Sequence, residues 1–153
     1  MDAGIDPRTG MVELDRDECM RLVAGSPLGR LAVVVAGRPL IFPVNFVVDG
    51  NAIVLRTTLG AKLYGARNAP VAFECDGFDR EYHTGWSVLV QGLAEEVQSP
   101  LEVERLERLP LRPWCDAPRP VWLRVRAGVV TGRQIPPHSA TFVSTFEEEN
   151  RCR

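Results

Sequence analysis

Along most of the chain, apolar residues recur in short β-branched runs bounded by glycine, proline and asparagine, with three brief stretches of helical spacing between them. The first helical stretch follows Leu14. Asp15 is placed to cap free amides, Glu18 stands three residues on as in a capping box, and Cys19, Leu22 and Val23 share one apolar face. Gly25-Ser26-Pro27 ends it. Residues 31–35 then read as a strand, Gly37-Arg38 as a turn and residues 39–48 as a second strand. Asp49-Gly50-Asn51 is a hairpin signal, and residues 52–57 form a third strand. Together these predict an antiparallel meander. Pro43 has no amide to give a ladder, which places its strand at an edge or a bulge.

Beyond Thr58-Leu59-Gly60, residues 61–68 suit a short helix and 71–75 a fourth strand. Residues 76–84 read as a long polar turn. Residues 85–97 make a long fifth strand whose alternation is blurred, as if both faces were covered. Ser99-Pro100-Leu101-Glu102 opens a third helix, running to about Arg108, with a second capping box and proline at its first position. Residues 110–120 are proline-rich and irregular; 121–126 and 129–135 are two strands or one bent strand. Residues 1–11 read as a flexible lead-in and 137–153 as a disordered tail, leaving one domain over 12–136. The expected class is mainly β, a barrel of six or seven antiparallel strands with three short peripheral helices.

Composition narrows the function. The length of 153 residues suits one domain, and a net charge of −2 gives no basic footprint for nucleic acid. No run approaches the roughly 18 apolar residues of a membrane span, and the N-terminus lacks a secretory signal, so a cytoplasmic protein is expected. Cys19, Cys75, Cys115 and Cys152 lie far apart with no C-x-x-C pair, which reads as isolated thiols. Cys75, in an apolar strand, reads as a small buried hydrophobe. With only His83 and His138 beside them, no metal centre is expected, and His83 reads as an exposed turn residue. Glu74, Asp76, Asp79 and Glu81 lack calcium-loop spacing. Walker, Gly-x-Gly-x-x-Gly and Ser-His-Asp patterns are absent.

Three segments carry candidate chemistry. Arg56-Thr57-Thr58-Leu59-Gly60-Ala61-Lys62 leaves a strand, turns at glycine and opens a helix, gathering two cations and two hydroxyls near free amides. It reads either as a phosphate site or as a solvated turn. In Trp86-Ser87, the hydroxyl is placed to reach a ligand, while the indole fits a core position better than a ring-covering one. In Pro43-Val44-Asn45, the asparagine either bonds backbone freed by the proline or faces a polar heterocycle.

Taken in order, Gly29-Arg30-Leu31-Ala32-Val33, residues 39–45, residues 56–62, Val71-Ala72-Phe73-Glu74 and residues 85–92 resemble the pyridoxamine 5′-phosphate oxidase-like superfamily. The likeness is greatest to its short actinobacterial branch of flavin- and deazaflavin-dependent reductases. It implies a six-stranded split β-barrel and a homodimer with flavin at the interface. It also implies that Pro43, Val44 and Asn45 lie along the flavin ring edge, that Arg56 and Thr57 approach the phosphate or ribityl chain, that Lys62 is a phosphate ligand and that Ser87 reaches the flavin; Thr58 and Trp86 are expected beside them. True pyridoxamine phosphate oxidases end with a flavin-stacking tryptophan and an Arg/His substrate motif. Here residues 129–135 contain no tryptophan and lead into Pro136-Pro137, so vitamin B6 oxidation is not expected.

The leading expectation is an oxidoreductase that binds FMN, with the deazaflavin F420 as the alternative, and passes hydride to a small organic acceptor. Arg133 and Trp114 are candidates to line its substrate side from the partner chain, and Arg133 is also expected among the cofactor contacts. A non-catalytic flavin, haem or ligand-sensing module is the second reading. The third is a structural dimer without ligand, suggested by Gly132 at the place of a stacking aromatic.

Overall fold

The computed structural model describes residues 4–58, 60–112, 114 and 118–137, with Lys62 described by its backbone alone. In chain order these give β1 (Val12–Leu14), α1 (Arg16–Ala24), β2 (Gly29–Val35), β3 (Arg38–Val44), β4 (Val47–Asp49) and β5 (Ala52–Thr57). They continue with α2 (Ala61–Ala66), β6 (Ala69–Asp79), β7 (Thr84–Val97), α3 (Pro100–Glu107) and β8 (Val121–Ile135). The strands form one antiparallel sheet in the order β3-β2-β6-β7-β8-β5-β4. β1 and β5 share the other edge of β8, at its opposite ends. The architecture is the mainly β split barrel expected, with eight strands among the described residues in place of six or seven.

The meander is corrected. Residues 39–48 are not one strand: the chain leaves the sheet at Asn45-Phe46, so β2–β3 and β4–β5 are separate hairpins at opposite ends of the strand order. Phe46 is buried and meets Phe73 edge to face at 4.7 Å, which drives the crossing into the core. β3 is an edge strand, as Pro43 requires. Pro39 and Pro43 share the parity of Ile41, so one side of that strand lacks two of its amides, which blunts it against further pairing.

Three other boundaries move. β6 continues to Asp79, because Phe78 and Asp79 pair with Gly85 and Thr84. The expected nine-residue turn contracts to four residues, tied by the Asp79 carboxylate accepting the amides of Glu81 and Tyr82. Residues 121–135 form one continuous strand with an irregularity opposite Gln91-Gly92, where a side chain at Gly92 would meet the Arg126 carbonyl at 2.0 Å. Within the lead-in expected to lack structure, residues 6–10 turn and Ile5 bridges Val12.

The helix caps are half as expected. Asp15 accepts the Glu18 amide at 2.9 Å, but the Glu18 carboxylate pairs with Arg21 instead of returning to the cap. Ser99 makes no side-chain cap; Glu102 is taken by Arg105 and Arg124, while Pro100 does open α3.

Leu31, Val33, Ile53, Leu55, Phe73, Val88, Val90, Leu123 and Val125 fill the barrel, closed by Cys19 and Val23 of α1 and Leu63 of α2. A second cluster, Val54, Leu106 and Trp122, seats α3 outside it. β7 is one-sided, contrary to the blurred pattern: Val88 and Val90 are buried, and Leu89, Gln91 and Leu93 face out. Val129 and Leu89 stand with Val34 and Ile41 among the exposed apolar residues of the sheet. No helix among the described residues is long and apolar enough to cross a membrane.

Candidate functional site

The split between β3 and β4 opens a cleft of about 170 Å³, lined by Leu28, Pro43, Val44, Asn45, Arg56, Leu111, Trp114 and Arg119. Its floor follows from the register. Arg56 lies opposite Trp122 on the β5–β8 ladder, and its guanidinium sits over that ring at 4.9 Å. Arg56 Nε donates to the Arg119 carbonyl at 2.9 Å, tying β5 to the proline-flanked segment that precedes β8.

Asn45 closes the opposite wall. Its Oδ1 accepts the backbone N–H of Trp114 at 3.2 Å, which fixes the amide, since only the oxygen can accept. Nδ2 is left buried without a partner, and so is Arg119 Nε. A buried donor without an acceptor costs about 1–3 kcal/mol. Among the described residues the lining contains no carboxylate, and neither Arg56 nor Arg119 forms an ion pair. The cleft is therefore cationic and rich in donors, suited to an acceptor-rich anion.

The expected phosphate quartet is only partly gathered. Arg56 faces the cleft. Thr57 is buried, its hydroxyl donating to the Thr58 carbonyl at 3.3 Å, and Thr58 is exposed. Lys62 is on α2, with its side chain outside the described atoms; that helix has six residues and no side-chain cap.

Pro43, Val44 and Asn45 stand together as expected, whereas Ser87, Arg133 and Trp86 lie elsewhere. Ser87 and Arg133 are cross-strand neighbours in a second, open cleft of about 430 Å³ with Glu13, Leu14, Leu89, Val130, Thr131 and Gly132. Trp86 is half-buried against the barrel and covers Gly77, where a Cβ would meet the indole at 2.6 Å. That is the core role its sequence context favoured. Gly132 has a structural reason: a Cβ there would lie 2.5 Å from Cys19 Sγ, so glycine lets α1 rest on β8.

Arg119 was not singled out by its sequence. Its only signal is its place between Pro118 and Pro120, just before the strand that pairs with Arg56. Elsewhere, burial pushes the Cys75 thiol up to about 11, consistent with the inert role expected of it. His83 is exposed in its turn, whereas Cys115, Cys152 and His138 lie outside the described residues.

An alternating chain of charges runs from Arg126 to Glu95 (2.9 Å), Arg124 (3.3 Å), Glu102 (2.5 Å), Arg105 (3.3 Å) and Asp49 (2.6 Å). It joins β8, β7, α3 and β4. Hydrogen bonds from Arg105 hold Asp49 and Glu102 below the usual carboxylate range, with Arg124 adding to the effect on Glu102.

The family model for pyridoxamine 5′-phosphate oxidase matches residues 15–134. The chain belongs to the pyridoxamine 5′-phosphate oxidase family. It is similar to the uncharacterized protein Rv0080 of Mycobacterium tuberculosis, at 41% identity over 86% of this chain and 90% of that one. Among solved structures, it resembles the FAD binding protein from Mycobacterium smegmatis, at 35% identity and a TM-score of 0.69, covering 80% of this chain and 96% of that one. A conserved protein of unknown function from Corynebacterium diphtheriae is 30% identical with a TM-score of 0.72, covering 86% and 100%. The matched span takes in the whole cleft and all ten residues expected at the site.

Proposed function

We propose that this family member is a flavin-binding oxidoreductase-type protein whose cofactor is held in the cleft between β3 and β4. The carrying observation is that Asn45 Nδ2 and Arg119 Nε are both buried without partners in a cleft whose described lining residues include no acid. Those donors fit the carbonyl and phosphate oxygens of a flavin nucleotide. Pro43 and Val44 would line the ring edge, Asn45 would donate to a ring acceptor, and Arg56 and Arg119 would hold phosphate. Thr57, Thr58 and Lys62 remain proposed cofactor contacts from the family resemblance, whereas Ser87, Trp86 and Arg133, on other faces of this chain, would reach that cofactor from a second copy. When bound, a flavin supplies hydride exchange with a small organic acceptor.

A volume of 170 Å³ is below the roughly 300–1,000 Å³ of complete ligand sites, which supports a cleft completed by a second copy. The exposed apolar face around Leu89 and Val129 supports the same homodimer. Among the described residues the lining offers no general acid or base, an observation that equally favours a non-catalytic binder. Titration of the purified protein with FAD, FMN and F420 tests the cofactor, and turnover of the reduced complex with organic acceptors separates enzyme from binder. Flavin binding that weakens in Arg119→Gln supports the proposal; F420 binding alone replaces the cofactor, and a Soret band points to haem. Absence of flavin binding overturns the proposal.

A further inference from the structure

We infer that the second cleft, where β1, β7 and β8 meet, binds a small zwitterion with an apolar body. In chemical class that is an apolar α-amino acid, clamped between Glu13 and Arg133. This rests on the flavin reading above, in which a second copy brings Ser87 and Arg133 to the cofactor, and it names the class of small molecule held on that side. The cleft follows from a gap in the sheet. β1 pairs with residues 132–134 of β8 and β5 with residues 121–126 of the same edge, so among the described residues 128–131 have no strand partner there. The opening at this gap measures about 430 Å³, within the roughly 300–1,000 Å³ of complete small-molecule sites.

Register places the charges. Glu13, Arg133 and Ser87 stand opposite one another across β1, β8 and β7, and Leu89 and Thr131 form the next pair along the same face. Opposed residues of an antiparallel pair lie about 4.5–5.5 Å apart at Cα, well within reach of an ion pair. Glu13 and Arg133 nevertheless form none, and among the described residues neither side chain has another ion-pair partner. Arg133 attracts Asp6 from a distance, but that carboxylate is bound by Arg8 at 3.4 Å. One free acid and one free guanidinium therefore face the same opening, both exposed. An anion alone meets Glu13 as a like charge, and a cation alone meets Arg133 as one. A molecule carrying both an ammonium and a carboxylate matches the two, with the guanidinium taking the carboxylate through paired hydrogen bonds. The hydroxyls of Ser87 and Thr131 add donors, and Leu14, Leu89 and Val130 give an apolar body a surface to lie on. Glu13 stands just before the span matched by the family model, so this acid is not part of the shared core.

The test measures three probes by calorimetry against the full-length protein: leucine, isocaproate (leucine without its amine) and isoamylamine (leucine without its carboxylate). Leucine is expected to bind about tenfold tighter than either fragment, since each fragment loses one charged contact. Glu13→Gln should cost leucine about tenfold and raise the affinity for isocaproate by removing a like charge. Arg133→Gln should cost leucine a similar factor and raise the affinity for isoamylamine. Both positions are exposed, so neither substitution disturbs the core. Leucine binding no tighter than that of its fragments overturns the inference. So does an equal change for all three probes in Glu13→Gln, which is the mark of a structural role. Flavin titration of the same samples is read apart. Flavin binding without leucine binding overturns this inference and leaves the cofactor site standing. Leucine binding without flavin binding overturns the functional proposal and leaves the clamp as a site of the single chain; binding of neither removes both.

Discussion

Asn45 and Trp114 are joined by a single hydrogen bond, Oδ1 to backbone N–H at 3.2 Å, that links the break between β3 and β4 to the segment preceding β8. One side chain thus positions the rim of the cleft with its oxygen and presents an unpaired buried donor with its nitrogen. The two roles separate by mutation. Asn45→Asp retains the acceptor for Trp114 and removes the donor, whereas Asn45→Ala removes both. In fluorescence titrations, Asn45→Asp should lower FAD affinity about tenfold or more while the Trp114 amide stays protected from exchange. Asn45→Ala should lose both the affinity and the protection.

Arg119 is the cation that carries the electrostatic part of the account. Arg119→Gln should weaken flavin binding and flatten its dependence on ionic strength, while Arg119→Lys keeps the charge and loses the planar fork. Comparing the salt slopes of the three proteins checks this. A wild-type affinity insensitive to salt would contradict a phosphate held by Arg56 and Arg119.

The Arg105 network sets a pH limit. Asp49 and Glu102 titrate below their ordinary values of 3.8 and 4.5 because Arg105 donates to both. Folded values lower than unfolded ones mean that their stabilising contribution is complete above those ordinary values and drains as the pH falls through the folded values. Urea midpoints should therefore drop between pH 6 and pH 3, and Arg105→Gln should show a smaller drop because it has less to lose. High salt at neutral pH should narrow the difference between the two proteins.

Cys75 makes a prediction of the opposite sign. Its thiol is displaced upward to about 11 by burial, from an ordinary 9.0, so its contribution is full below pH 9 and fades as the pH rises towards 11. At pH 8 the native protein should resist alkylation at Cys75 and at the buried Cys19, and peptide mass spectrometry should find both labelled once urea unfolds the chain.

What the sequence revealed was local. β5 is bounded as expected, because Asp49-Gly50-Asn51 fixes one end and the buried run Ala52, Ile53, Val54 and Leu55 fills it. Asp15 and Pro100 announce their helices because capping and proline geometry act within one turn. The separation of β3 from β4 was not legible, since it depends on Phe46 reaching Phe73, a contact between distant segments. The site shows the same division. Pro43, Val44, Asn45 and Arg56 were readable from strand chemistry, whereas Arg119 joins them only through the β5–β8 pairing. Ser87 and Arg133 are carried by β7 and β8 to another face of the chain, a placement set by the sheet register and not by their local sequence.

The proposed dimer is open to mutation on that face. Val129→Glu should place a charge on the exposed apolar surface without touching the core, shifting the protein towards monomer in sedimentation equilibrium and weakening flavin binding together with association. A monomer that binds flavin with unchanged affinity would show that one chain holds the complete site.

The most direct measurement is the nitrogen–proton NMR spectrum of the full-length protein with and without FAD. The side-chain N–H signals of Asn45 Nδ2 and Arg119 Nε report on the two unpaired donors. Both are expected to shift and to gain protection from solvent as FAD saturates the protein. If FAD binds while both signals stay unchanged, and the shifts gather instead around Ser87 and Arg133, the cleft between β3 and β4 is not the cofactor site.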